Sequence, residues 1–186
     1  MRVVVSGTHG SGKSTLISDF AVAQPAWEVL PDPYELIDLD GDTPSSALFI
    51  EQLNIAARRL VEPTSEHVVA ERGPLDFLAY LHAMETLGRS PLSSESQERA
   101  EELTRRAMAQ IDLLVLLPLN RRDAITISVD EDLELRDAMN TALLELSDDA
   151  YLVAGAKVVE IVGSRDQRLT QLRDAVQRRA SERREL

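Results

Sequence analysis

The chain contains no cysteine. A disulfide scaffold, a thiolate zinc site and a cysteine nucleophile are therefore excluded. Long apolar runs are also missing. None approaches the ~18–20 residues of a membrane span, and the run after Met1-Arg2 is too short for a signal-peptide core. The expectation is a cytoplasmic protein with no membrane partner. Positive charge is scarce: 20 Lys+Arg stand against 32 Asp+Glu, for a net charge of -12. That balance argues against a nucleic-acid polymer as partner, while leaving room for a small basic pocket that holds phosphate. Lysine is scarcest of all. Lys13 and Lys157 are the only two, and the other basic residues are arginines.

What is present is an ordinary globular composition, 44% hydrophobic and 28% charged over 186 residues. This is the length of one domain. No repeat, low-complexity tract or Gly/Ser linker divides it, so residues 1–186 read as a single domain. Short apolar runs bounded by turns alternate with longer segments of helical spacing. Strands are expected near 2–6, 27–31, 67–71, 112–117 and 157–162. Helices are expected at about 13–23, 45–61, 75–87, 95–109, 131–147 and 165–184. The rhythm is that of βα units around a parallel sheet. The first, third and fourth strands are almost wholly apolar and should be central. Pro74 after Gly73 reads as a first-turn proline. The acid-rich stretch 130–149, with Arg136 as its one base, reads as a solvated helix. The Arg-rich last stretch has Leu169, Leu172 and Val176 on one face and reads as a docked surface helix.

One motif is specific. Gly7-Thr8-His9-Gly10-Ser11-Gly12-Lys13-Ser14, followed by Thr15, satisfies G-x-x-x-x-G-K-[ST] between a buried strand and a helix. Glycines let backbone N–H groups approach phosphate oxygens. The following helix adds free N–H groups and a dipole end. Lys13 is expected to reach the β- and γ-phosphates, and the Ser14 hydroxyl to ligate Mg²⁺. ATP and Mg²⁺ are thus the expected cofactors. His9 reads as a spacer.

In an open parallel sheet, ligands bind beyond the carboxyl ends of the strands. After the second strand, Asp32 lies between Pro31 and Pro33, which restrict its backbone. A fixed carboxylate suits orientation and deprotonation of an acceptor hydroxyl, with Glu35 as the substitute. After the third strand come Glu71, a candidate for the metal, and Arg72, whose fork suits phosphate or a ribose-linked oxygen. Asp76 follows as a candidate for substrate. After the fourth strand, Arg121, Arg122 and later Arg136 are the arginines that a mobile lid, about 118–136, could bring onto a transferring phosphoryl group. Of the few aromatics, Tyr34, Phe49 and Phe77 fall where an acceptor ring could stack.

These motifs resemble those of P-loop kinases of the nucleoside and nucleotide kinase superfamily. Asp32-Pro33 stands where deoxynucleoside kinases have a Glu-Pro general base, and Glu71-Arg72 is similar to their Glu-Arg-Ser signature. Gln52 and Arg59 have the seven-residue spacing of a base-reading Gln and a substrate-binding Arg. Gly73 replaces the family's serine, and Asp76 falls one residue early. The Glu-Arg-Gly-Pro-Leu-Asp form is closer to predicted bacterial ATP-binding proteins, some of which resemble the ribosylnicotinamide kinase domain. The resemblance implies an α/β fold with a five-stranded parallel sheet in the order 2-3-1-4-5 and helices on both faces. It further implies ATP- and Mg²⁺-dependent phosphoryl transfer to a small-molecule acceptor, a nucleoside, nucleotide or ribosyl compound, and a possible homodimer. The alternative expectation is a P-loop ATPase or nucleotide-dependent switch acting with a protein partner. Against a GTPase, neither an Asn-Lys-x-Asp motif nor an Asp-x-x-Gly after the third strand is present.

Overall fold

The computed structural model describes residues 1–36, 44–62, 65–119 and 132–184. Five strands, β1 (Arg2–Ser6), β2 (Glu28–Leu30), β3 (Val68–Glu71), β4 (Leu113–Leu116) and β5 (Lys157–Glu160), form one parallel sheet in the order β2-β3-β1-β4-β5. This is the expected order. The three apolar strands lie at its centre because a central strand is covered on both faces.

The alternation of side chains sorts each strand between two cores. Val3 and Val5 of β1, Val69 of β3 and Leu113 and Val115 of β4 face one way. There they meet Leu16, Ile17 and Phe20 of α1 (Lys13–Ala23) and Leu172 and Ala175 of α7 (Arg165–Glu182). Val4, Ala70, Leu114 and Leu116 face the other way. The larger core on that side takes the apolar sides of α2 (Ser46–Val61), α3 (Pro74–Thr86), α4 (Ser94–Met108), α5 (Leu133–Ser147) and the short α6 (Ala150–Val153). Among the described residues, only α6 and a one-turn 3₁₀ helix at Pro33–Leu36 were not expected from the sequence. Both are too short to leave a periodic signature.

Local chemistry fixes where the helices begin. The Ser45 hydroxyl accepts from Leu48 N ahead of α2, and Asp132 accepts from Leu135 N ahead of α5. Ser164 and Gln167 form a reciprocal capping box at the start of α7. Pro74 does occupy the first turn of α3, behind Gly73. Gly73 is required by packing: a Cβ there would lie 2.8 Å from Val4 Cγ1. A serine at this position would collide with the central strand, which explains the departure from the Glu-Arg-Ser pattern. Among the described residues no helix is long and apolar enough to cross a membrane.

Candidate active site

The loop between β1 and α1 turns through three glycines with positive φ, Gly7 (154°), Gly10 (64°) and Gly12 (91°). A Cβ on Gly7 would meet Ser11 Oγ at 2.7 Å and Leu117 O at 2.9 Å, so only glycine fits the neck of the loop. Thr8 Oγ1 and Ser11 Oγ are buried with no hydrogen-bond partner. Buried hydroxyls are normally satisfied, and two orphans inside a glycine-lined cradle fit a site that takes anionic oxygen. Lys13 is 4% exposed and its Nζ donates to Thr8 O at 2.9 Å. Burial, together with the Arg72 charge, brings its pKa down to about 7, against the pull of Asp76, Glu71 and Asp32. An anion in the loop would restore its proton.

Ser14, at the start of α1, donates from Oγ to Glu71 Oε1 at 2.7 Å. One of these oxygens comes from the first turn of α1 and the other from the last residue of β3, at the mouth of the loop. Mg²⁺ is usually held by one or two protein oxygens plus substrate phosphates and water. This pair fits that pattern.

Opposite the loop, Asp32 and Arg72 meet, Nε to Oδ2, at 2.6 Å. The other carboxylate oxygen of Asp32 accepts from Tyr34 N at 3.1 Å, which starts the 3₁₀ turn. Arg72 is 7% exposed, donates to Tyr80 Oη at 3.2 Å and holds φ at +60°. That left-handed backbone costs an ordinary residue about 1–2 kcal/mol, and such strain concentrates where a side chain must be aimed. Burial alone would lower the Arg72 pKa, but Tyr80, Asp32 and Asp76 outweigh it and hold the guanidinium above its ordinary value.

A cleft of about 780 Å³ runs between the two halves. His9, Gly10, Gly12, Lys13, Ser14, Thr15 and Glu71 line one end. Asp32, Tyr34, Glu35, Gln52 and Arg72 line the other, with Phe49, Phe77 and Tyr80 as wall. Gln52 is 2% exposed. Phe49 and Tyr80 stack with centroids 4.6 Å apart. Tyr80 is a wall residue that the sequence reading did not single out. Its three-residue spacing from Phe77 along α3 was the available signal.

Two expected substrate residues lie elsewhere. Asp76 is fully buried and accepts from Ser6 Oγ (2.5 Å), Gly7 N (3.0 Å) and Gly73 N (2.8 Å). Its carboxylate ties the phosphate loop to the β3–α3 turn instead of lining the cleft. Burial raises its pKa, against the opposing pull of Arg72 and these donors. Arg59 does not line the cleft either. Its Nη1 donates to Pro31 O at 2.8 Å, behind the Asp32 turn. Arg136 does line the cleft, and its Nε donates to His9 O at 2.9 Å. Arg121 and Arg122, with most of the expected lid, lie outside the described residues.

A phosphate loop on β1, a carboxylate and an arginine facing it, and a sheet of order 2-3-1-4-5 define the P-loop kinase fold. The chain belongs to a family described as an AAA domain, whose pattern matches residues 2–168. Solved structures share its architecture. The deoxyadenosine kinase from M. mycoides, with products dCMP and dCDP bound, superposes with a TM-score of 0.70 at 13% identity, over 95% of this chain and 98% of that one. Thymidylate kinase from Candida albicans gives 0.65 at 17% identity, over 95% and 90%. The NadR protein in complex with NR gives 0.64 at 21% identity, over 94% of this chain and half of that one. No functionally curated sequence matches.

Proposed function

We propose that the protein transfers the γ-phosphoryl group of ATP to a hydroxyl or phosphate of a small nucleoside, nucleotide or ribosyl compound. The observation that carries this is the shared cleft: Lys13 and the glycine loop line one end, and the Asp32–Arg72 pair the other. Solved structures of the same fold include nucleoside and nucleotide kinases, which supports the reading.

The roles follow from the chemistry. The backbone N–H groups of the loop and Lys13 hold the donor phosphates. Ser14 and Glu71 would hold Mg²⁺, which supplies charge neutralisation when bound. Asp32, with Glu35 beside it as the substitute, accepts the proton of the acceptor hydroxyl as its oxygen bonds to the γ-phosphorus and the bond to the β-phosphate oxygen breaks. Arg72 orients Asp32 and stands next to the acceptor oxygen. Gln52 and the aromatic wall recognise the acceptor ring. Arg136, with Arg121 or Arg122, supplies positive charge to the transferring group. Asp76 and Arg59 support the loop and the Asp32 turn.

The test is ATP consumption with Mg²⁺ against nucleosides, monophosphates and ribosyl pyridines. Lys13→Ala should lose at least ~10²-fold in rate, the scale for removing one electrostatic donor from a transition state, while keeping its fold by circular dichroism. Asp32→Asn should lower transfer far more than ATP affinity. Hydrolysis indifferent to every acceptor would sink the kinase reading and favour an ATPase or switch.

A further inference from the structure

One buried cation near the loop has no part in the chemistry above. Arg168, in the first turn of α7, is 8% exposed. Its Nη1 donates to Ser11 O at 2.7 Å and its Nε to Gly163 O at 2.8 Å. The first carbonyl belongs to the crest of the phosphate loop. The second belongs to the turn after β5, where φ of Gly163 is +105°. A buried guanidinium is costly unless its donors are used, and here one fork spans two loops that are 152 residues apart in sequence.

The bond to Ser11 O has a geometric consequence. A trans peptide is planar, so its carbonyl and the next N–H point in opposite directions. Drawing Ser11 O toward α7 turns Gly12 N–H the other way, away from α7. Arg136 does the same from the other side: its bond to His9 O turns Gly10 N–H away from α5. Two arginines from two different helices thus set two peptide planes of one loop. The α7 backbone that carries Arg168 is itself fixed, by Leu172 in the core and by a two-bond pair between Arg165 and Asp19 of α1, both bonds 2.6 Å.

We propose that Arg168 is a positioning residue for the donor nucleotide. It presets the Ser11–Gly12 peptide with its N–H toward the donor phosphates, and it fixes the Gly163 turn relative to the loop. This rests on the loop being the donor site. A lysine could not replace it fully, because an ammonium lacks the planar fork that reaches two carbonyls.

The experiment measures equilibrium binding of ATP and of inorganic tripolyphosphate to the full chain, together with KM for ATP and for the acceptor. Arg168→Gln should weaken both anions by roughly 10–100-fold, the loss of one or two charge-assisted bonds. KM for ATP should rise while KM for the acceptor holds. Arg168→Lys should recover part of the loss, since it can still serve one carbonyl. The proposal is overturned if both variants bind the two anions as tightly as the wild type. It is also overturned if donor and acceptor KM rise together, or if both variants unfold, which would make Arg168 only a staple between α7 and the loop. Failure of the wild type to bind either anion would instead remove the donor-site reading itself.

Discussion

At the scale of single residues, Lys13 carries the clearest physical signature. Its folded pKa of about 7 lies well below the value of 10.5 that it has in an unfolded chain. Between those pH values the unfolded chain binds more protons, so this residue makes stability climb as pH rises through the window. Below pH 7 both states are charged, and the full penalty of the buried cation remains. Lys13→Met should therefore stabilise the nucleotide-free protein by a few kcal/mol at pH 6, on the order of one ~1.4 kcal/mol step per pKa unit. The gain should shrink steadily toward pH 10, as read by denaturant unfolding across pH. A gain that does not change with pH would mean that Lys13 is not buried as a suppressed cation. The same residue is expected to lose transfer when altered, so stability and activity should move in opposite directions at one position. That opposition is common where a site stores unfavourable electrostatics.

At the scale of elements, the helix starts decide where the site residues lie. The N-cap of α2 sets the register that turns Gln52 into the cleft and Arg59 toward the Asp32 turn. Ser45→Ala removes the bond to Leu48 N and should cost about 1 kcal/mol, with a range of about 0.5–2. The measurement is a shift in the urea midpoint at constant slope. A loss much larger than this would show that the turn before α2 does more than cap it. At the start of α5, Asp132 and Glu134 both pair with Arg89. These pairs are part-exposed and individually weak, but together they orient the turn from which Arg136 reaches the loop. Asp76 does the equivalent for α3. Its carboxylate is at once the helix cap and the anchor of the phosphate loop, so it ties β1, the loop and the β3–α3 turn together.

At the scale of the whole molecule, both faces of the sheet converge on the loop. The α1–α7 face contributes Arg168 and the other face Asp76 and Arg136. A ligand that engages the loop should therefore stabilise the entire fold. Mg²⁺–ATP at 100 times its Kd adds about 2.7 kcal/mol by mass action. For a domain of this size that is a rise in Tm of roughly 5–10 °C. The rise should be absent in Lys13→Ala. A rise of equal size in that variant would place ATP elsewhere.

The sequence by itself determined the alternation of strands and helices, the phosphate loop and the placement of Asp32, Glu71 and Arg72 at the strand ends, while the sheet order came from the family resemblance and is the one the fold adopts. These are legible because apolar runs, glycine spacing and a lysine at a fixed offset are local, and because parallel βα units close in few ways. Tertiary structure alone decided what several polar residues do. Asp76 and Arg59 have the residue types and spacing of substrate contacts, yet the carboxylate of Asp76 turns to Ser6, Gly7 and Gly73, and Arg59 to the carbonyl of Pro31. Arg168 falls at helical spacing with Leu172 and Ala175, on the buried stripe of α7. From sequence it reads as one more arginine in a basic helix. Its partners are carbonyls, which every residue carries, so no side-chain pattern could announce the contact. Motifs record which side chains meet a ligand. They do not record which ones hold the backbone that meets it, because that depends on loops brought together across the sheet.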